Sequence, residues 1–106
     1  MKVLGDIDSG NCYKVKLVLA QLGIAHEWQH VNLLQGDTQS AHFLSLNPNG
    51  KIPVLILDNG ETLCESNAIL NFLAEGTALL PSERLSRARV LAWQFFEQYS
   101  HEPYIA

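Results

Sequence analysis

The chain has 106 residues, 47% hydrophobic and 17% charged, which is enough apolar material for one packed domain with an appendage and too little charge for a disordered segment. A formal net charge of −4 argues against a general binder of nucleic-acid backbones. No apolar run approaches the roughly 20 residues that span a bilayer, the acids Asp6 and Asp8 come too early for a signal peptide, and two cysteines make no disulfide framework, so no membrane partner is expected and the default compartment is the reducing cytoplasm.

Residues 2–5 are a short apolar run before the turn-rich stretch Asp6-Ile7-Asp8-Ser9-Gly10-Asn11, which predicts a strand and then a loop. Val15, Val18, Leu19 and Leu22 fall at i, i+3, i+4 and i+7, the stripe of an amphipathic helix, with Gly23 as its stop. Tyr13 is one position into this pattern and is read as a packing residue. A second strand is expected over about Glu27 to Leu33, followed by a polar loop and a short helix over 40–46 that holds Phe43, Leu44 and Leu46. Val54-Leu55-Ile56-Leu57 is a buried strand candidate, Asp58-Asn59-Gly60 a hairpin turn with Asn-Gly tolerating positive φ, and Glu61 to Cys64 the return strand. Ile69, Phe72 and Leu73 then give the inner stripe of a helix ended by Gly76. The order βαβα then ββα predicts an α/β fold, a mixed sheet with helices on its faces in the thioredoxin-like arrangement.

Residues 77–82 read as a linker, and Ser82 as the N-cap of a long helix with Glu83 in its first turn. Leu85, Ala88, Ala92, Phe95, Phe96 and Tyr99 mark one face of that helix. Such a face must pack on the sheet domain, on another copy of the chain, or on further helices.

Two segments carry the strongest chemical signal. In Asn47-Pro48-Asn49-Gly50-Lys51-Ile52-Pro53-Val54, Pro53 cannot donate to a sheet ladder, so it belongs at a strand start. A cis bond before it would turn the Ile52 N–H and C=O toward a ligand. In Glu65-Ser66-Asn67-Ala68-Ile69, Ser66 opens a helix, where a hydroxyl and the first-turn amides suit a carboxylate. Together they predict a pocket for a small anionic peptide. His26 and His30 are four apart, which would pair them on a helix but not on the expected strand, and no zinc or iron cluster spacing occurs, so no metal is expected.

These segments, with Ser9-Gly10-Asn11-Cys12-Tyr13-Lys14-Val15, resemble the N-terminal half of a glutathione transferase, the serine-type bacterial members above all, and the resemblance covers nearly the whole chain. It implies a glutathione-binding thioredoxin-like domain over 1–76, a linker over 77–82, and in 83–106 the first helix of an all-helical domain that supplies most of the electrophile pocket. It further implies glutathione as co-substrate, a small electrophile as partner, and a homodimer. Ser9, just before the first helix, would stabilise the glutathione thiolate by hydroxyl donation and the helix field. Cys12 is the rival, forming a mixed disulfide, and Asn11 could donate its amide to the sulfur. The Ile52 main chain, ahead of Pro53, would pair with the cysteinyl part like an added strand. Glu65 would meet the α-ammonium, Ser66 the α-carboxylate, and Lys51 the glycyl carboxylate. Three functions stay open: a transferase acting through Ser9, a thiol-disulfide or peroxide reductase acting through Cys12, and a glutathione-binding or protein-interaction module without turnover.

Overall fold

The apolar run after Met1 forms strand β1 (Lys2–Gly5) of a four-stranded sheet in the computed structural model, which describes residues 1–105. The chain divides into two units, Met1–Leu73 and the segment from Ala74 onward. In the first unit β1 is followed by helix α1 (Gly10–Leu22), strand β2 (Glu27–His30), helix α2 (Ala41–Leu46), strands β3 (Val54–Ile56) and β4 (Thr62–Cys64), and helix α3 (Ser66–Ala74), which crosses the boundary by one residue. The sheet order is β2-β1-β3-β4, with β1 parallel to β2 and antiparallel to β3, and β3 antiparallel to β4. This is the expected thioredoxin-like βαβαββα arrangement.

Because successive strand residues face opposite sides of a sheet, Val3 and Leu55 point to one face and Leu4 and Val54 to the other. Val3 and Leu55 join Val15 and Leu19 of α1 and Ile69 and Leu73 of α3 in one core. Leu4 and Val54 join Val31 and Phe43 in a second core beneath α2. Full burial of side chains such as Leu19 and Ile69 stabilises the fold by about 1.5–3 kcal/mol each. Gly23 ends α1 in the left-handed region at φ 65°, its N–H donating to Ala20 while Ile24 N–H donates back to Leu19, the paired bonds of a Schellman stop.

Four local expectations shift. Strand β2 stops at His30 instead of near Leu33, after which Asp37 Oδ2 accepts from Asn32 N–H and Asn32 Oδ1 from Leu34 N–H, drawing the backbone into a turn. In the hairpin only Gly60 takes positive φ, at 88°, with Gly60 N–H donating to Leu57 C=O, so Asp58 and Asn59 form an ordinary turn closed by the glycine. Phe72 is 47% exposed, since Ile69, Leu73 and the half-buried Leu70 fill the inward side of α3. Tyr13 is 53% exposed and takes no part in the core.

In the second unit, helix α4 (Arg84–Phe96) starts one residue later than expected. Glu83 is its N-cap, with the carboxylate accepting from Ser86 N–H at 2.6 Å. A charge-assisted bond here displaces the more usual serine cap. That bond, with further backbone N–H donation from Leu85, holds the Glu83 carboxyl below its ordinary range. A π-helical stretch, Glu97–His101, continues the helix into α5 (Glu102–Ile105), just ahead of Pro103, whose ring cannot donate to the carbonyl one turn back. No residue of α4 is buried, and Trp93, Phe95, Phe96 and Tyr99 are exposed, with Trp93 set edge-on to Phe96 at 5.5 Å between ring centres. Among the described residues no helix is long and apolar enough to cross a membrane.

Candidate functional site

Strand pairing gathers the three signal segments. Leu4 of β1 lies opposite Val54 of β3, and Val54 opposite Cys64 of β4. The loop leaving β1, the loop entering β3 and the turn leaving β4 therefore emerge from one end of the sheet. These are the segments of Ser9, of Lys51-Ile52-Pro53, and of Glu65-Ser66.

Ser9 is held on both sides. Its N–H donates to Asp6 C=O at 2.9 Å and its C=O accepts from Tyr13 N–H at 2.8 Å, while its Oγ accepts from Cys12 N–H at 3.4 Å as the N-cap of α1. The hydroxyl thus sits at the positive end of a 13-residue helix, where negative charge is favoured. Cys12 is 0% exposed. Its sulfur lies against Gly5, where an added Cβ would stand 3.0 Å from both Cys12 Sγ and the Trp28 ring and would press both aside by a few tenths of an ångström. Burial pushes the Cys12 thiol up, and the Asp6 charge adds to this, against the smaller downward pull of the Ser9 hydroxyl and the Asp6 backbone.

The loop into β3 turns on Asn47, which is 4% exposed and uses every polar group it has. Its N–H donates to Phe43 C=O and its C=O accepts from Gly50 N–H, both at 2.9 Å, while Nδ2 donates to Lys51 C=O at 2.9 Å and Oδ1 accepts from Asn49 N–H at 3.1 Å. Sequence reasoning assigned Asn47 no role, although Asn-x-Asn before a glycine is a signal for a side-chain-closed turn. Gly50 takes φ 63°, and a Cβ on it would meet Gln39 Nε2 at 2.8 Å. The Ile52–Pro53 bond is cis. Pro53 is buried, Lys51 is exposed, and Ile52 packs on the second core but precedes the register pairs of β3, which begin at Val54.

At the third segment Glu65 is exposed and takes φ 71°, the only non-glycine residue with positive φ among those described. That conformation costs of order 1–2 kcal/mol in a residue with a Cβ. Its C=O accepts from Ile69 N–H at 3.0 Å as α3 begins. Ser66, 5% exposed, donates its hydroxyl to Asn11 Oδ1 at 3.4 Å, tying the start of α3 to the start of α1. Cys64, just before, has its thiol pushed up by burial and then by the neighbouring Glu65 charge. The histidines lie elsewhere: His26 Nδ1 is 3.0 Å from Ile24 C=O, and among the described residues no group of three or more His, Cys, Asp or Glu side chains could hold a metal ion.

Comparisons with known proteins place this thioredoxin-like domain in a family. Residues 8–75 match the glutathione S-transferase N-terminal domain, and the chain belongs to the glutathione S-transferase family. It is similar to a crystal structure of a glutathione S-transferase from Pseudomonas fluorescens Pf-5, with 66% identity and a TM-score of 0.97, over 98% of this chain and 52% of that one. It is 38% identical to the maleylacetoacetate isomerase of Pseudomonas aeruginosa across 84% of this chain and 44% of the relative. A maleylacetoacetate isomerase structure from Methylobacterium extorquens AM1, with bound malonate and glutathione, matches at 33% identity and a TM-score of 0.87, over 97% of this chain and 50% of that one. The chain thus spans about half the length of the relatives it matches.

Proposed function

We propose that this chain binds glutathione at the shared end of β1, β3 and β4 and that Ser9 activates its thiol for transfer to a small electrophile. The observation that carries this reading is the register Leu4–Val54–Cys64, which brings a helix-capping serine, an unladdered main-chain segment and a second helix start to one sheet end. The Ser9 hydroxyl donates to the thiolate while the field of α1 favours its charge. Ile52 offers its main chain to the cysteinyl unit as an added strand would. The start of α3 and Ser66 take the α-carboxylate, Glu65 the α-ammonium, and Lys51 the glycyl carboxylate. Asn11 holds Ser66 and so links the two helix starts.

Cys12 is a poor nucleophile for the reductase reading, because a fully buried thiol with a raised pKa offers little thiolate and no approach to a disulfide. In this reading residues 1–76 are the glutathione-binding domain, 77–82 the linker and 83–106 the first helix of an all-helical domain. The exposed aromatic residues of α4 support self-association, which sedimentation velocity at several concentrations would detect as a rising mass. Calorimetric titration with glutathione, beside a conjugation assay on the native chain, Ser9→Ala and Cys12→Ala, tests the whole reading. Binding with conjugation lost in Ser9→Ala and kept in Cys12→Ala supports it. Conjugation or disulfide reduction lost only in Cys12→Ala refutes it, and binding without conjugation selects the non-catalytic module.

A further inference from the structure

We infer that Asn47 is a positioning residue that aims the Ile52 N–H at bound glutathione; this rests on the glutathione reading above. Lys51 C=O and Ile52 N–H belong to the same trans peptide unit, so the two groups point in opposite directions. Asn47 Nδ2 takes the Lys51 C=O from the buried side at 2.9 Å. The Ile52 N–H is thereby turned away from Asn47, on the side opposite the loop interior.

The rest of the loop keeps Asn47 from yielding. Its own N–H and C=O are held by Phe43 and Gly50, and its Oδ1 by Asn49 N–H, so rotation of the amide would break the bonds on both sides of the side chain. Gly50, in the left-handed region at φ 63°, lets the loop close against the Thr38 C=O, which a Cβ would meet at 3.2 Å. Ile52 lies ahead of the β3 register pairs, so the sheet ladder does not fix its N–H, and the Asn47 bond is the hydrogen bond that sets the tilt of this peptide plane while Ile52 packs on the second core. Asn47 touches no substrate atom in this account and acts through the Lys51–Ile52 peptide plane.

The sharp test is Asn47→Asp in the full chain. The variant keeps the size and the Oδ1 acceptor for Asn49 and loses only the donor to Lys51 C=O, which a carboxylate instead repels. The glutathione Kd should rise about tenfold, the equivalent of one hydrogen bond. Glutathione should slow hydrogen exchange of the Ile52 amide in the native chain and should fail to slow it in the variant. Ile69→Val, a core change on the other face of the sheet, serves as the stability control, and at a temperature where all variants are folded its Kd should stay at the native value. Asn47→Ala, which removes the donor without adding charge, is the second variant should the aspartate prevent folding. Native affinity and native Ile52 protection in a folded Asn47 variant would overturn the inference while leaving the functional reading intact, as would an equal loss in Ile69→Val. Absence of glutathione binding by the native chain overturns the functional reading and this inference with it.

Discussion

Replacing Ser9 with Ala removes one oxygen that the account uses twice, and the two consequences separate. As an N-cap, Ser9 accepts from Cys12 N–H at 3.4 Å, a long bond. Its loss should therefore cost toward the lower part of the usual capping range, about 0.5–1 kcal/mol. For a domain of about 100 residues that lowers Tm by roughly 2–8 °C. As a donor to bound thiolate, the hydroxyl makes a bond to a charged group, worth about 1.5–3 kcal/mol, which is about one to two pKa units. A free thiol titrates near pH 8.5, so the native chain should hold glutathione's thiol near neutrality and Ser9→Ala should return it toward the free value. At pH 7 the thiolate population, and the conjugation rate with it, should fall by roughly tenfold or more. The assay is ultraviolet titration of the thiolate in the glutathione complex, run beside thermal unfolding. Ser9→Thr, which keeps a hydroxyl at the cap, should recover most of both. A lower Tm with an unchanged thiolate titration would make Ser9 a cap and nothing more, and would refute the reasoning.

Four further outcomes follow from the same geometry. Gly50→Ala forces a Cβ into the left-handed region and to 3.2 Å from the Thr38 C=O, so chemical denaturation should show a loss of about 1–2 kcal/mol, with weakened glutathione binding in the fraction that folds. Glu65→Gly removes the strain of φ 71°, so stability should stay within about 0.5 kcal/mol of native, while calorimetry should show weaker glutathione binding through loss of the carboxylate. Both cysteine pKa values are raised in the fold, so the folded chain keeps protons that the unfolded chain releases above about pH 8.5. Stability is then fully present below that pH and declines as pH rises toward the folded-state values, and urea midpoints should show Cys12→Ala declining less steeply. Alkylation should mark the partly exposed Cys64 before the enclosed Cys12, and modification of Cys12 ahead of unfolding would contradict its assigned place.

Elements whose signal is local were legible in the residues. The Val15–Leu22 periodicity ending at Gly23 and the short apolar strands around Asp58-Asn59-Gly60 need only neighbouring residues to form. What escaped depends on partners distant in sequence. Phe72 sits on a helical stripe by spacing, yet α3 turns Ile69 and Leu73 inward and leaves Phe72 outside. Ser82 is the better cap by propensity, but the Glu83 carboxylate reaches Ser86 N–H with a stronger bond. Cys12 looks reactive from its place at a helix start, and only the packing of α1 on the sheet, with its sulfur against Gly5 of β1, leaves its thiol fully buried. In the candidate site the residue types were readable while the networks were not. Asn47 is an ordinary loop asparagine until its four bonds are traced, and the Asn11–Ser66 bond joins residues 55 apart in sequence.

The most direct test of the central claim, that one sheet end grips a tripeptide, is an NMR titration of the isotope-labelled chain with glutathione. Amide shifts concentrated at Ser9, Asn11, Lys51, Ile52, Glu65 and Ser66, and saturating together, are the predicted result. Shifts absent from those residues at saturating glutathione, or gathered instead around His30 and His42 on the α2 side of the sheet, would contradict it.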